Sequence, residues 1–404
     1  MIDKIVIAAL TFFLVADNYF LDYYFTVRIG LLLFSICLIL FSKQNSPRYF
    51  LNGLSKYYIY IWSLCIGHLV FIAYFNYSPF LLIQVPRAIS MLFQTFIGYL
   101  LSYGLLSFYG SKALKILCLS FICAYIVCIA KGTLVLGPIG LINYAFDFSD
   151  NKIAAENFEL NKMFEIHSLG LTFPLFLLSH YMYKFSNDKK LFSKGVILLL
   201  LFFTLLSLKR ISIIAAIITY VIFVIANKLN LLNFVIKKFL YFAIIIAFLI
   251  ITFVYSPSFS DFIKEHNINV MGRDILYKGI TDQTTFSVDY IGKGWAWVSA
   301  YMKFMSENDN IFNGILGLHN DILKLYVELG FIGFIILFII QYRSIPNYLS
   351  RTSKQLAVCY LFFQIFAFIT YVTDNTFQYW DFQTVLIVIP LCYYYKSTSV
   401  KIKK

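Results

Sequence analysis

Charge is scarce in this chain of 404 residues. Asp, Glu, Lys and Arg make up 13% of it, and only 20 of these are acidic against 33 basic. A soluble fold needs a polar surface that such a composition cannot supply. With 60% hydrophobic residues and a mean hydropathy of +0.78, the chain reads as an integral membrane protein. Cysteine is absent from the long polar loops, since all seven lie in apolar runs. That argues against both a disulfide framework and a zinc site. The chain lacks a glycine-rich phosphate loop, an internal repeat and a low-complexity tract. It also lacks a soluble domain: its longest polar stretch, 256–318, is too short to bury a deep core. Any active site must therefore be built partly by membrane helices.

What is present is a series of apolar runs, at 4–16, 26–42, 57–75, 88–109, 113–130, 165–183, 194–208, 211–226, 239–255, 319–340, 355–372 and 382–395. They predict an all-α polytopic membrane protein of about twelve transmembrane helices, several of them short against the ~20 residues a bilayer asks for. The first run, Ile5 to Ala16, has no small-residue cleavage site and reads as a retained helix. The net charge of +13 could suggest nucleic acid, but its distribution follows membrane sidedness. One alternating set of loops holds 20 of the 33 basic residues, with Asp3 and Asp188 as its acids. The other set holds most carboxylates, among them Asp17, Asp147, Glu156, Asp282 and Asp374. By the positive-inside rule the basic set and both termini face the cytoplasm, and the long loops 131–164 and 256–318 lie outside. The expected organisation is helices one to nine over 1–255, a large outer loop over 256–318, and helices ten to twelve with a cytoplasmic tail over 319–404.

Three places carry polar residues in unusual company. Lys209-Arg210 interrupts an apolar stretch that as one helix would be ~50 Å long. As two short helices it leaves a sunken turn bearing two cations, which either snorkel to the surface or meet an anion. In the outer loop, Arg273 follows the flexible Gly272; it is either a solvated charge or a bidentate grip for phosphate. Finally, His319-Asn320 is followed by Gly330-Phe331-Ile332-Gly333. With a helix starting near His319, that histidine shares a face with Tyr326, Gly330 and Gly333, and the glycines let another helix come close. Asp321, Lys324 and Glu328 fall on the opposite side, spaced to pair at i,i+3 and i,i+4. Taken alone, His319 reads equally as an interfacial cap. His68 and His180 read as structural, and His167 and His266 as weaker candidates near the outer face.

The combination His319-Asn320, nine residues, Gly330-x-x-Gly333 resembles the motif of the O-antigen polymerase and O-antigen ligase superfamily of membrane glycosyltransferases. Gly272-Arg273 resembles the Gly-Arg early in that family's large periplasmic loop. Asn313-Gly314-Ile315-Leu316-Gly317 resembles the turn before its histidine, and Lys209-Arg210 its mid-chain arginine. One departure stands out: ligases often carry a Ser-Arg-Gly type sequence where this chain reads Ser207-Leu208-Lys209-Arg210-Ile211-Ser212.

The resemblance implies a GT-C-like helical bundle in the bacterial inner membrane, with its active site on the periplasmic side. It implies glycosyl transfer from an undecaprenyl-diphosphate-linked oligosaccharide, with membrane lipid around it and a chain-length regulator as a partner. No cofactor or metal is required. Arg210 and Arg273 would stabilise the departing diphosphate, and His319 would act as general base on the acceptor hydroxyl. Lys209, Arg87, Asn320 and Tyr326 would contact substrate. The implied activity is polymerisation of O-antigen or a related surface polysaccharide. The alternative is ligation of finished glycan to lipid A–core, and a lesser one is a lipid-linked glycan flippase. A flippase should carry charges along a central cavity and short loops, which this chain does not.

Overall fold

The computed structural model describes residues 1–19, 24–42, 46–75, 79–146, 167–187, 190–207, 209–259, 265, 273–308 and 318–402. Among these the chain is helical, without a strand. The elements are α1 (Ile2–Tyr19), α2 (Tyr24–Leu40), α3 (Ser46–Phe75), α4 (Leu81–Tyr109), α5 (Ala113–Phe146), α6 (His167–Asn187), α7 (Lys194–Leu206), α8 (Arg210–Lys228) and α9 (Leu232–Tyr255). They continue as α10 (Arg273–Thr281), α11 (Trp297–Asn308), α12 (Asp321–Ile339), α13 (Ile345–Ser350), α14 (Lys354–Tyr371) and α15 (Trp380–Ile402). Among the described residues, each apolar run of the sequence lies largely on one of these helices. Among the described residues six segments are long and apolar enough to cross a membrane, one of them spanning both α4 and much of α5, and there are shorter apolar helices besides. The protein is a polytopic membrane protein.

The outward faces explain the composition. Helix α8 exposes Ile214, Ile217, Ile218, Val221, Ile222 and Ile225. That helical stripe would be insoluble in water and is at ease among lipid tails. Helix α9 exposes Phe242, Ile245 and Leu249 and turns Ala243, Ala247 and Ile251 inward. The small alanines let neighbouring backbones approach where hydrophobicity alone gives no drive to associate. Helix α14 is buried over nearly its whole length.

The chain divides into two compact units. The first comprises Met1–Leu51, Gln94–Ile225 and Tyr379–Lys404. At one end of it, Asp17 accepts hydrogen bonds from Arg28 Nε and Trp380 Nε1, both at 2.9 Å. In its core Tyr125, Phe173 and Phe203 meet edge-on or tilted, with ring centroids 5.0–5.5 Å apart.

The second unit comprises Asn52–Phe93 and Ala226–Gln378. Its central element, α12, is interrupted: Gly330 has φ 70° and ψ −178°, outside helical geometry. Further along, Ile340–Ser344 forms a π-helical turn. There Gln341 Nε2 donates to Gln364 Oε1 at 2.7 Å, tying α14 to the π turn through buried amides.

Candidate active site

The site is built around the start of α12. Asn320, extended at φ −156°, caps the helix: its Oδ1 accepts from Leu323 N at 2.9 Å. Asparagine is among the best residues for this, because its short side chain reaches an orphan N–H of the first turn. The helix therefore begins at Asp321 and not at His319, which corrects the helical phase drawn from sequence. His319 stands outside the helix with φ +51°, a left-handed conformation uncommon for a residue other than glycine. That turn aims the ring at the connector between α14 and α15. His319 Nδ1 lies 3.7 Å from Asp374 Oδ1, with the histidine side chain 29% exposed and the aspartate 7%. Asp374 is itself held, since Asn375 N donates to its Oδ1 at 2.8 Å and its own N–H donates to Thr370 O. A half-open imidazole beside a fixed carboxylate can take a proton from a hydroxyl and have its new charge offset.

Removing the cap has a measurable consequence. Asn320→Ala is expected to lower stability by about 1 kcal/mol, read as a lower thermal unfolding midpoint in detergent. Asn320→Ser, which can still cap, is expected to keep most of it. Equal midpoints for the two variants would contradict the capping role.

Along its first two turns, α12 turns Asp321, Lys324 and Glu328 inward, all nearly fully buried. Sequence spacing suggested that they pair with one another. In the structure each meets a different neighbour: Asp321 Oδ2 accepts from Phe377 N at 2.7 Å, Lys324 Nζ donates to Gln378 Oε1 at 3.0 Å, and Glu328 Oε1 accepts from Val298 N at 3.2 Å. The α14–α15 connector and the start of α11 thus receive the bonds that α12 was expected to spend on itself.

The glycine seam also differs from expectation. What approaches Gly330 is loop backbone and not a helix. A Cβ there would fall 2.1 Å from Ile291 O, and one on Gly292 (φ +99°) would fall 2.5 Å from Gly330 N. The loop makes good the backbone bonds that the interruption frees. Phe331 N donates to Tyr290 O at 2.9 Å, and Lys293 N and Gly294 N donate to Val327 O and Glu328 O, both at 3.0 Å. Irregular backbone is tolerated inside a membrane protein only when its polar groups are satisfied in this way. Two further side chains grip the same loop. His68 Nε2 is 2.8 Å from Ile291 O, and Gln84 Nε2 donates to Trp295 O at 3.1 Å. The expectation of a structural His68 fits this contact.

Tyr326 is fully buried and its hydroxyl is committed. It donates to the carbonyl of Thr285 or Ser287 and accepts from Ser287 N at 3.1 Å, fastening the start of the loop. Its ring stacks on Tyr290, 5.3 Å between centroids. Burial pushes the Tyr290 hydroxyl well above the usual tyrosine range, so it stays a neutral donor to Val327 O at 3.0 Å. Arg87 is half-buried on α4 and shares a face with Gln84 and Met91 at i,i+3 and i,i+4 spacing. Gln84 reaches the loop, and Met91 Sδ lies 4.0 Å from Lys324 Nζ. Arg87 therefore sits on the site-facing side of its helix and has no ion-pair partner among the described residues.

Lys209 and Arg210 lie in the first unit, at the turn from α7 to α8, as the sequence suggested. Lys209 is half-buried and Arg210 is exposed as the first residue of α8. The turn packs against Gly170, where a Cβ would fall 2.9 Å from Lys209 Cγ, and Ser212 Oγ donates to Lys209 O at 2.7 Å. Arg273 opens α10, but its side chain lies outside the described residues, as do Gly272, His266, Asn313–Gly317 and the side chain of His167. His180 is buried and accepts from Phe192 N at 3.2 Å, in keeping with a structural role. Among the described residues no group of His, Cys, Asp and Glu side chains is placed to hold a metal ion.

Sequence reasoning overlooked Asp374 as a partner for His319, and also Gln84, Gly292 and Gly294. Gly292-Lys293-Gly294, flanked by Tyr290, Trp295 and Trp297, was the available signal: two glycines among large aromatics inside a polar loop.

In this polytopic membrane protein, a half-exposed histidine 3.7 Å from a carboxylate has the makings of general-base chemistry. Residues 195–338 match the family model Wzy_C, O-antigen ligase, a match consistent with the O-antigen polymerase and ligase superfamily. The matched segment runs from α7 through the interrupted α12 and includes Lys209, Arg210, Arg273 and His319. No curated protein sequence matches the chain.

Proposed function

We propose that this protein polymerises O-antigen or a related surface polysaccharide at the periplasmic face of the bacterial inner membrane, joining undecaprenyl-diphosphate-linked repeat units. The observation that carries the reading is His319 outside its helix, half-exposed, with Asp374 fixed 3.7 Å from Nδ1. His319 takes the proton of an acceptor sugar hydroxyl as that oxygen attacks the anomeric carbon of the donor glycan. The bond from that carbon to the diphosphate breaks, and the diphosphate leaves on its lipid with the bonding electron pair. Asp374 orients the imidazole and offsets its positive charge. Arg210 and Arg273, from their sequence resemblance, supply the cations that stabilise the departing diphosphate. Lys209 and Arg87 add charge for the same lipid-linked substrate. Asn320 and Tyr326, both turned inward, serve by positioning His319 and the docked loop. A chain-length regulator is the proposed protein partner.

The second reading is ligation to lipid A–core, favoured by the description of the matching family model. Deleting the gene and running the lipopolysaccharide on a gel separates the two. Polymerase loss leaves lipid A–core capped by a single repeat. Ligase loss leaves bare core, with polymer held on the carrier lipid. An unchanged ladder would overturn both.

A further inference from the structure

We infer that Asp321 is a positioning residue for the transfer reaction, latching the Asp374–Gln378 connector onto the start of α12 so that Asp374 is held against His319. This rests on the reading of His319 as the base.

The contacts form a closed ring. Asp321 is the second residue after His319, and its Oδ2 takes the Phe377 N–H at 2.7 Å. Phe377 is the third residue after Asp374, whose Oδ1 returns to within 3.7 Å of His319 Nδ1. Next along the connector, Gln378 Oε1 accepts from Lys324 Nζ at 3.0 Å, one helical turn beyond Asp321. Two adjacent residues of the connector are therefore pinned by two residues on one face of α12. The connector is held by its other neighbours as well: Thr376 Oγ1 lies 3.1 Å from Thr370 Oγ1 of α14, and the Phe377 ring meets Trp295 and Tyr371 at 6.2 and 5.9 Å. The His319–Asp374 approach is the loosest link of the ring and the one exposed to solvent. Its length is thus set by the bonds behind it. A buried carboxylate is an expensive latch unless it serves a purpose, because it must be desolvated. Here that carboxylate accepts a backbone N–H, a bond that fixes chain position and not merely side-chain packing.

The latch acts through bond length, so the order of variants is diagnostic. Asparagine at 321 keeps an acceptor at the same reach, glutamate keeps the charge at a longer reach, and alanine keeps neither. The assay uses full-length protein in liposomes with undecaprenyl-diphosphate-linked glycan extracted from a strain lacking this gene. Expected is a kcat within about 3-fold of wild type for Asp321→Asn, and a fall of roughly 100-fold for Asp321→Glu and Asp321→Ala, the scale of an ångström-sized misplacement. The KM for the lipid-linked donor should move less than about 3-fold, because these residues orient the base and do not bind the donor. Combining Asp321→Glu with Asp374→Asn should add little to either change alone, since both act through one contact. A Glu variant more active than the Asn variant would overturn the latch, as would independent, multiplying effects with Asp374→Asn. If Asp321→Ala and Asp321→Glu fail to purify as folded protein, a kcat for Asp321→Asn as low as that of Asp374→Asn overturns it, and one within about 3-fold of wild type supports it. His319→Ala in the same liposomes tests the underlying reading separately: activity there sinks the base, whatever residue 321 does.

Discussion

Replacing His319 by alanine should reduce glycan transfer by a factor of about 10² to 10⁴, the usual contribution of a positioned general base, while the protein still reaches the membrane in normal amount. The physical basis is local. His319 sits outside α12 in a left-handed turn with its side chain 29% exposed, so its loss leaves the helix and its Asn320 cap in place. In cells, the variant should reproduce the glycan ladder of the gene deletion, with immunoblots showing wild-type protein levels. A full ladder from this variant would mean that another group takes the proton.

Replacing Gly330 should do the reverse and damage the protein itself. Its φ of 70° with ψ −178° lies in a region open essentially to glycine alone. A methyl group there would stand 2.1 Å from Ile291 O and 2.6 Å from Tyr290 O, both of them backbone atoms that cannot rotate away. Backbone strain and overpacking together put the loss at about 3 kcal/mol or more. The docked loop would be expelled, leaving Phe331 N, Val327 O and Glu328 O without the partners they have at 2.9–3.0 Å. Gly330→Ala should therefore give little monodisperse protein on fluorescence-detected size exclusion and a much lower unfolding temperature. Gly333→Ala is the control. Its Cβ would meet only Leu329 Cβ at 3.0 Å, with an ordinary φ, so it should lose far less. Equal losses at the two glycines would restore the helix-packing seam suggested by their spacing.

The contrast between these glycines shows what could be read from sequence. Their spacing announced a close approach at Gly330 but could not say what approaches, because glycine admits a helix or a loop alike. Hydrophobic runs located the helices, since lipid imposes a uniform demand along every span. The boundary at His319 fell two residues early: periodicity marks the middle of a helix, whereas its first residue depends on which side chain caps it, here Asn320. Asp321, Lys324 and Glu328 were correctly placed on one side, yet their partners come from a remote connector and from the start of α11, which no local pattern names. Asp374 is the clearest case. It is a single acid in a short polar connector far along the chain from His319, and only the tertiary path through Phe377 brings it there. The family match likewise ends at residue 338, before Asp374, and begins after His68, Gln84 and Arg87. The half of the site that lies outside the matched segment became legible only in the fold.

The central claim is that this chain transfers lipid-linked glycan by means of His319. The most direct test is reconstitution: purified protein in liposomes, supplied with undecaprenyl-diphosphate-linked repeat units and nothing else, followed by mass spectrometry of the lipid-linked products. The expected result is a ladder of glycans two or more repeats long from the wild type, and unreacted single repeats from His319→Ala. Product from the His319→Ala protein, or none from the wild type with folded protein and substrate present, would contradict it.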